Sequence, residues 1–252
     1  MDIRAIAFDV NGTLVQILTE DHSAQVFRAA GHFLTYQGID LRRHQVQELY
    51  FQRMKEQQRA STEEHPEYDA VAIWQSIIDD HRSDFTATLP AEKLVWMPVF
   101  LAEMTRGIAR RRLRLFPHVR SVLTVLRRHF RLALVTDAQS AYARGELHKV
   151  GLLDHFDPIV VSGDHGFRKP DPRLFRLALD GLGVPAANTL YIGNDMHRDV
   201  FGAQQAGMPT VMFDSDQGTK HYRDCRPDHT ITDWRDLLKI LDLPELPPDP
   251  ER

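Results

Sequence analysis

From Leu132 onward the chain alternates short apolar runs with helix-length amphipathic segments: LALVT (132–136), AYARGELHKVG, PIVVS (158–162), PRLFRLALDGLG, TLYIG (189–193), VFGAQQAG and TVMF (210–213). Continuous Val/Ile/Leu-rich runs leave neither face of a strand fit for water. They therefore predict a parallel sheet covered by helices on both sides. With IRAIAFDV at the start of the chain, the pattern predicts a doubly wound α/β core.

Residues from about 20 to about 110 follow a different rhythm, with apolar side chains at helical spacing in AQVFRAAGHFLTYQG, VQELYFQRMKEQQ and YDAVAIWQSIIDDH. This places a smaller all-helical unit at 16–95, inserted after the first strand and lying over the strand ends, with the core formed by 1–15 and 96–252. The Pro-rich end LPELPPDPER is expected to fray. With 31 basic and 35 acidic side chains the net charge is −4, which argues against nucleic acid or an anionic membrane surface as a partner. The basic runs RRRLR (110–114) and RRHFR (127–131) accordingly read as solvated helix ends. A single cysteine, Cys225, a start without a signal-peptide pattern and no apolar run of membrane length lead to the expectation of a soluble, cytoplasmic protein.

In an open parallel sheet, ligands bind beyond the carboxyl ends of the strands. The apolar runs end at Asp9, at Thr136 and Asp137, just before Gly163, and at Gly193, Asn194 and Asp195, with Lys169 following the third in FRKPDP. Asp9 before a Gly-Thr turn suits nucleophilic attack on phosphorus or carbon. Thr136 can bind an anionic oxygen, and Lys169 can offset the charge of both substrate and nucleophile. Asp9, Asn194, Asp195 and Asp199 form an oxygen-rich set suited to Mg²⁺ and not to zinc. Blander roles exist for each residue: a strand-ending turn at Asp9, a helix cap at Thr136 or Asp137, and a favourable charge near a helix start at Asp199. The thirteen histidines show no ligand spacing, and Gly181 and Gly183 read as helix C-caps, not as a dinucleotide loop.

Taken in order, FDVNGTL, VTDA, RKPDP and GNDMHRDVFGAQQAG resemble the four motifs of the haloacid dehalogenase superfamily, spanning Asp9 to Gly207. The helical insert matches the family's first cap position. The resemblance implies a Rossmann-like core and a Mg²⁺-dependent phosphatase acting on a small-molecule phosphate monoester. Asp9 would form an aspartyl-phosphate, and the Asn11 carbonyl would ligate Mg²⁺. Thr136, with the backbone of Asp137, would bind the phosphoryl group, and Lys169 would hold it. Asn194 or Asp195 would ligate the metal, with Asp199 as a further ligand or an outer carboxylate. A lid of this size favours a small substrate; Arg53, Lys55, Arg59, His65 and Trp74 are its candidate contacts, each with an alternative reading as an exposed or internal residue of the insert.

Position 11 departs from the family pattern, where a second aspartate acts as general acid and base. An amide cannot exchange that proton, a loss typically on the order of 10²–10⁴ in rate. Three readings follow: a specialised phosphatase, a 2-haloacid dehalogenase-like enzyme whose halide leaves without a proton, or a non-catalytic protein that binds a phosphorylated ligand.

Overall fold

The computed structural model describes residues 2–246. Most of the Pro-rich end lies outside the described residues, but Leu243 and Leu246, which begin it, pack against the core. Six strands form one parallel sheet in the order β5-β4-β1-β6-β7-β8: β1 (Ala5–Phe8), β4 (Arg131–Thr136), β5 (Ile159–Val161), β6 (Thr189–Gly193), β7 (Thr210–Phe213) and β8 (His229–Ile231). The expected doubly wound α/β sheet is thus present, with β1 at its centre between β4 and β6.

Side-chain alternation builds the two covering layers. Ile6 and Phe8 of β1, Leu132 and Leu134 of β4, and Leu190 and Ile192 of β6 face one layer, closed by α6 (Val119–Leu126) and α10 (Arg235–Ile240). Ala5, Ala7 and Ala133 point to the other face, where small side chains let α8 (Pro172–Leu182) lie close with Leu174, Phe175 and Ala178. Asp171 caps α8, Pro172 opens it, and Gly183 in the left-handed conformation ends it as expected. Gly181 is no cap. It lies inside the helix where a side chain would strike Pro158. The remaining core helices are α7 (Ser140–Lys149) and α9 (Gly202–Gln205).

Between β1 and β4 the chain leaves and re-enters the core through an antiparallel ribbon, β2 (Val15–Thr19) with β3 (Arg110–Leu115). RRRLR is therefore a strand and not a helix end. Leu113 and Leu115 turn half-buried toward the core while Arg111, Arg112 and Arg114 stay exposed, an arrangement that suits a ribbon edge. Beyond the ribbon, α1 (Ala24–Thr35), α2 (Arg43–Ala60), α3 (Ala70–Asp80), α4 (Asp84–Ala87) and α5 (Ala91–Ala109) surround a separate hydrophobic core that includes Phe27, Leu34, Ile73 and Trp74. The expected limit of the insert at 95 falls in the middle of α5, which continues to Ala109. Among the described residues no helix is long and apolar enough to cross a membrane.

Candidate active site

Asp9 marks the point where β1 stops. Its N–H still donates to the Ile192 carbonyl at 2.9 Å, after which the Val10 carbonyl gathers the N–H groups of Thr13, Leu14 and Val15 into a tight turn. Gly12 takes φ +86° there, and its missing side chain leaves room for the Asn194 amide pressed against it. A residue with a Cβ would be both strained and in collision.

The Asp9 carboxylate is 5% exposed and fully partnered. Lys169 donates through Nζ to Asp9 Oδ1 at 2.7 Å and to Asp199 Oδ1 at 2.6 Å. The Thr13 hydroxyl lies 2.9 Å from Asp9 Oδ2 and 3.0 Å from Asn194 Oδ1. Burial alone would lower the Lys169 pKa, but the carboxylates of Asp199 and Asp9 outweigh it and hold the amine protonated well above its usual range. Lys169 in turn donates its backbone N–H to Asp137 Oδ1 at 3.0 Å. The other Asp137 oxygen has no hydrogen-bond partner among the described residues, with Arg168 and Arg198 at 3.8 and 3.7 Å.

The acidic fourth motif is organised by hydrogen bonds. Asp199 Oδ2 accepts from the N–H groups of Asn194 and Asp195, both at 3.0 Å, while Oδ1 accepts from Lys169 and from the Tyr191 hydroxyl. Asp195 caps the following π-helix by accepting from the N–H groups of His197 and Arg198, and its second oxygen accepts from Thr219 N–H and Arg198. Burial raises the Asp195 pKa, but these donors prevail and bring it to about 2. In this arrangement the oxygens of Asp195 and Asp199 fix the turn and orient Lys169. Two oxygens remain better placed for a cation, Asp9 Oδ2 and Asn194 Oδ1, joined through Thr13.

Thr136 ends β4, two residues beyond the one paired with Phe8, and is buried. It shares a small recess with Asn11. Neither Thr136 nor Asp137 caps α7; that position belongs to Gln139. The topology therefore draws Asp9, Asn11, Thr136, Asp137, Lys169, Asn194, Asp195 and Asp199 to one edge of the sheet. Sequence reasoning missed Thr13 and Tyr191, which bind the same carboxylates. The period-two pattern of TLYIG, with one hydroxyl-bearing ring in a buried run, was the available signal for Tyr191.

A segment of the helical unit completes the site. The α2–α3 connection lies antiparallel to the residues before Lys169: Arg168 N–H donates to the His65 carbonyl at 2.9 Å and Glu67 N–H to the Gly166 carbonyl at 3.0 Å. Glu67 Oε2 accepts from the Ser162 hydroxyl at 2.7 Å, and burial raises the Glu67 pKa. Gln139 donates to the Tyr68 carbonyl at 2.6 Å and accepts from Ala70 N–H at 2.8 Å. Arg173 pairs with Glu63. Among the lid residues proposed from sequence, His65 belongs to this strap and Trp74 is internal. Arg53 pairs with Glu56 and Asp80, and Lys55 and Arg59 are exposed.

The family model described as haloacid dehalogenase-like hydrolase matches residues 3–207. A phosphoserine phosphatase of Thermus thermophilus is 35% identical over 130 residues, 51% of this chain and 52% of that protein. A glyceraldehyde 3-phosphate phosphatase of Pyrococcus abyssi is 33% identical over 102 residues, 40% of this chain and 43% of that protein. The chain spans about half the length of the curated relatives it matches. Among solved structures, a 2-haloacid dehalogenase from Pseudomonas syringae superposes with a TM-score of 0.66 at 22% identity, covering 95% of this chain and 98% of that one. A phosphatase from Thermococcus onnurineus gives 0.58 at 22% identity, covering 97% and 100%. These structural likenesses speak for the fold.

Proposed function

The chain belongs to the haloacid dehalogenase-like hydrolases, and within that family we propose that it is a Mg²⁺-dependent phosphatase that passes the phosphoryl group of a small phosphate monoester to Asp9 and then to water. The observation that carries this reading is the Asp9 carboxylate at the sheet edge, held between the Lys169 ammonium and the Thr13 hydroxyl. Those two contacts orient a carboxylate for in-line attack and offset the charge that an approaching phosphoryl group brings. Thr136 lies on the adjacent strand end, where its hydroxyl would bind a phosphoryl oxygen. The two phosphatase relatives described above support an ester of a small metabolite. The helical unit entered by β2 and left by β3 serves as a lid domain that excludes water.

The donor set fits a hard cation. Asp9 and Asn194 offer side-chain oxygens on either side of Thr13, and Asn11 offers its carbonyl, oxygen donors of the kind Mg²⁺ takes. Bound there, Mg²⁺ would neutralise phosphoryl charge.

Asn11 supplies no proton to the leaving alcohol. The reading therefore requires an ester whose alkoxide leaves readily or a water that relays the proton. The same amide favours one second reading, displacement of halide from a 2-haloacid, because halide leaves unprotonated. Release of phosphate from a metabolite ester panel, with Mg²⁺ and with chelator, separates the two. Turnover is expected with Mg²⁺, lost in Asp9→Asn and raised about 10²–10⁴-fold in Asn11→Asp. Halide release with no phosphate release, or phosphate release that survives Asp9→Asn, would overturn the phosphatase reading.

A further inference from the structure

The chain leaving β7 turns back over the fourth motif before it reaches β8. An ion pair between the ends of this turn, Lys220 to Asp214 at 3.1 Å, closes residues 214–220. One side of the turn is stitched to the motif: Met196 N–H donates to the Thr219 carbonyl at 2.7 Å, and Thr219 N–H donates to Asp195 Oδ2 at 2.9 Å. Beside these bonds the backbone of Gly218 lies so close to Asn194 that a side chain there would strike both its carbonyl oxygen and its amide nitrogen. Gly12 presses on the same amide from the loop after β1. Asn194 is buried, in contact with two bare glycine backbones, and its Oδ1 lies 3.0 Å from the Thr13 hydroxyl.

The other side of the turn reaches the ribbon. Gln217 donates through Nε2 to the Ile17 carbonyl of β2 at 2.7 Å, across 200 residues of sequence. The ribbon's register explains why that carbonyl is free. Hydrogen-bonded and non-hydrogen-bonded positions alternate along an antiparallel pair, and Phe116 N–H donates to the Leu14 carbonyl at 3.0 Å. Three residues on, the Ile17–Leu113 pair falls on a non-bonded position, so the Ile17 carbonyl faces away from β3. Among the described residues the Gln217 bond is the one hydrogen bond between turn and ribbon. Adjacent residues thus face two ways: Gln217 holds the ribbon, and Gly218 rests on Asn194.

We propose that Gln217 is a positioning residue of the active site: by bracing the turn against the β2–β3 ribbon, it fixes where Asn194 presents its oxygen to Thr13 and Asp9. The use of that oxygen for Mg²⁺ rests on the phosphatase reading above; the brace rests on the contacts alone. Without Gln217 the turn keeps its bonds to Asp195 and Met196 but loses its outer support. A small displacement of a positioned group is enough to slow a reaction.

Gln217→Met keeps the length of the side chain and removes the donor. Gln16→Met is the control: it breaks the Arg114–Gln16 bond of the same ribbon, 2.6 Å long, and leaves the Gln217 bond in place. In the ¹⁵N-labelled chain without metal, Gln217→Met is expected to shift the Asn194 side-chain amide resonances, and Gln16→Met to leave them at their native positions. In turnover, Gln217→Met is expected to raise the half-saturating Mg²⁺ concentration about fivefold, the change that one net hydrogen bond supports, while the ester KM stays within about twofold of native. If the native chain hydrolyses no ester but the Asn194 resonances move, the phosphatase reading falls and the brace stands. Asn194 resonances that Gln217→Met leaves unmoved, or that Gln16→Met moves equally, overturn the brace. So does an unchanged Mg²⁺ requirement in an active Gln217→Met chain.

Discussion

A hydroxyl has one proton, and this limits Thr13 between Asp9 Oδ2 and Asn194 Oδ1. If the proton goes to Asp9, the neutral Asn194 amide has the option of staying beside the Thr13 hydroxyl without adding a second negative charge. An aspartate at 194 would have no such option and would face Asp9 as a like charge across a shared hydroxyl. The amide at 194 thus suits a site whose stability does not depend on a cation. Asp195 has a different duty, holding the turn through four donors. Its pKa falls from the ordinary 3.8 to about 2. A carboxyl lowered on folding stabilises the native state above its unfolded pKa, and the gain is lost as pH falls through the folded value. Asp195→Asn is accordingly expected to lose about 2 kcal/mol at pH 7, with the gap to the native chain roughly halved by pH 3. Urea midpoints across that range measure it; a gap that stays constant with pH would show that the Asp195 charge is not the cause.

At the scale of elements, the α2–α3 strap is the least foreseeable part of the site. It joins the helical unit to the residues on both sides of Lys169 through two main-chain hydrogen bonds, the Glu67–Ser162 contact and the Arg173–Glu63 pair. All of these contacts join distant segments: the main-chain bonds link 65 with 168 and 67 with 166, and Glu67 and Ser162 are 95 residues apart. Removing two of the side-chain anchors, in Glu67→Ala with Arg173→Ala, should raise amide exchange at residues 61–69 by tenfold or more, leaving the α3 interior near its native rate. Unchanged protection in the double variant would mean that the main-chain pairing and the Gln139 contacts secure the strap without them. The β2–β3 ribbon belongs to the same scale. Its basic strand is paired within the ribbon, with Arg111 beside Glu20 and Arg114 beside Gln16.

The whole molecule has two hydrophobic centres joined by a ribbon and a strap. Phe8, Leu134 and Trp234 belong to the sheet layers; Phe27, Ile77 and Trp74 belong to the helical unit. Trp74 and Trp234 are both fully buried, one in each, while Trp96 is half exposed. In a Trp96→Phe background the two indoles therefore report the two centres separately. Ile77→Ala should cost about 2–5 kcal/mol and lower the Trp74 urea midpoint more than that of Trp234. Phe8→Ala, at the centre of the sheet, should lower both, because the helical unit is tethered at both ends to the core. Coincident midpoints in Ile77→Ala would show one cooperative unit, with the strap and ribbon stiff enough to couple them.

The amino-acid sequence alone determined five of the six strands of the parallel sheet, the presence of a helical insert, and the edge of the sheet where Asp9, Thr136, Lys169 and Asn194 assemble. These features rest on local causes: apolar periodicity, turn-forming residues, and the rule that parallel strands deliver their carboxyl ends to one crevice. The tertiary structure decided which oxygen meets which donor. Lys169 reaches Asp9 across 160 residues, and Asp199 turns inward to Lys169 and two N–H groups although its spacing resembled that of a metal ligand. Hydrogen-bond partners of buried charges are set by packing between distant segments, and composition and period carry no record of it.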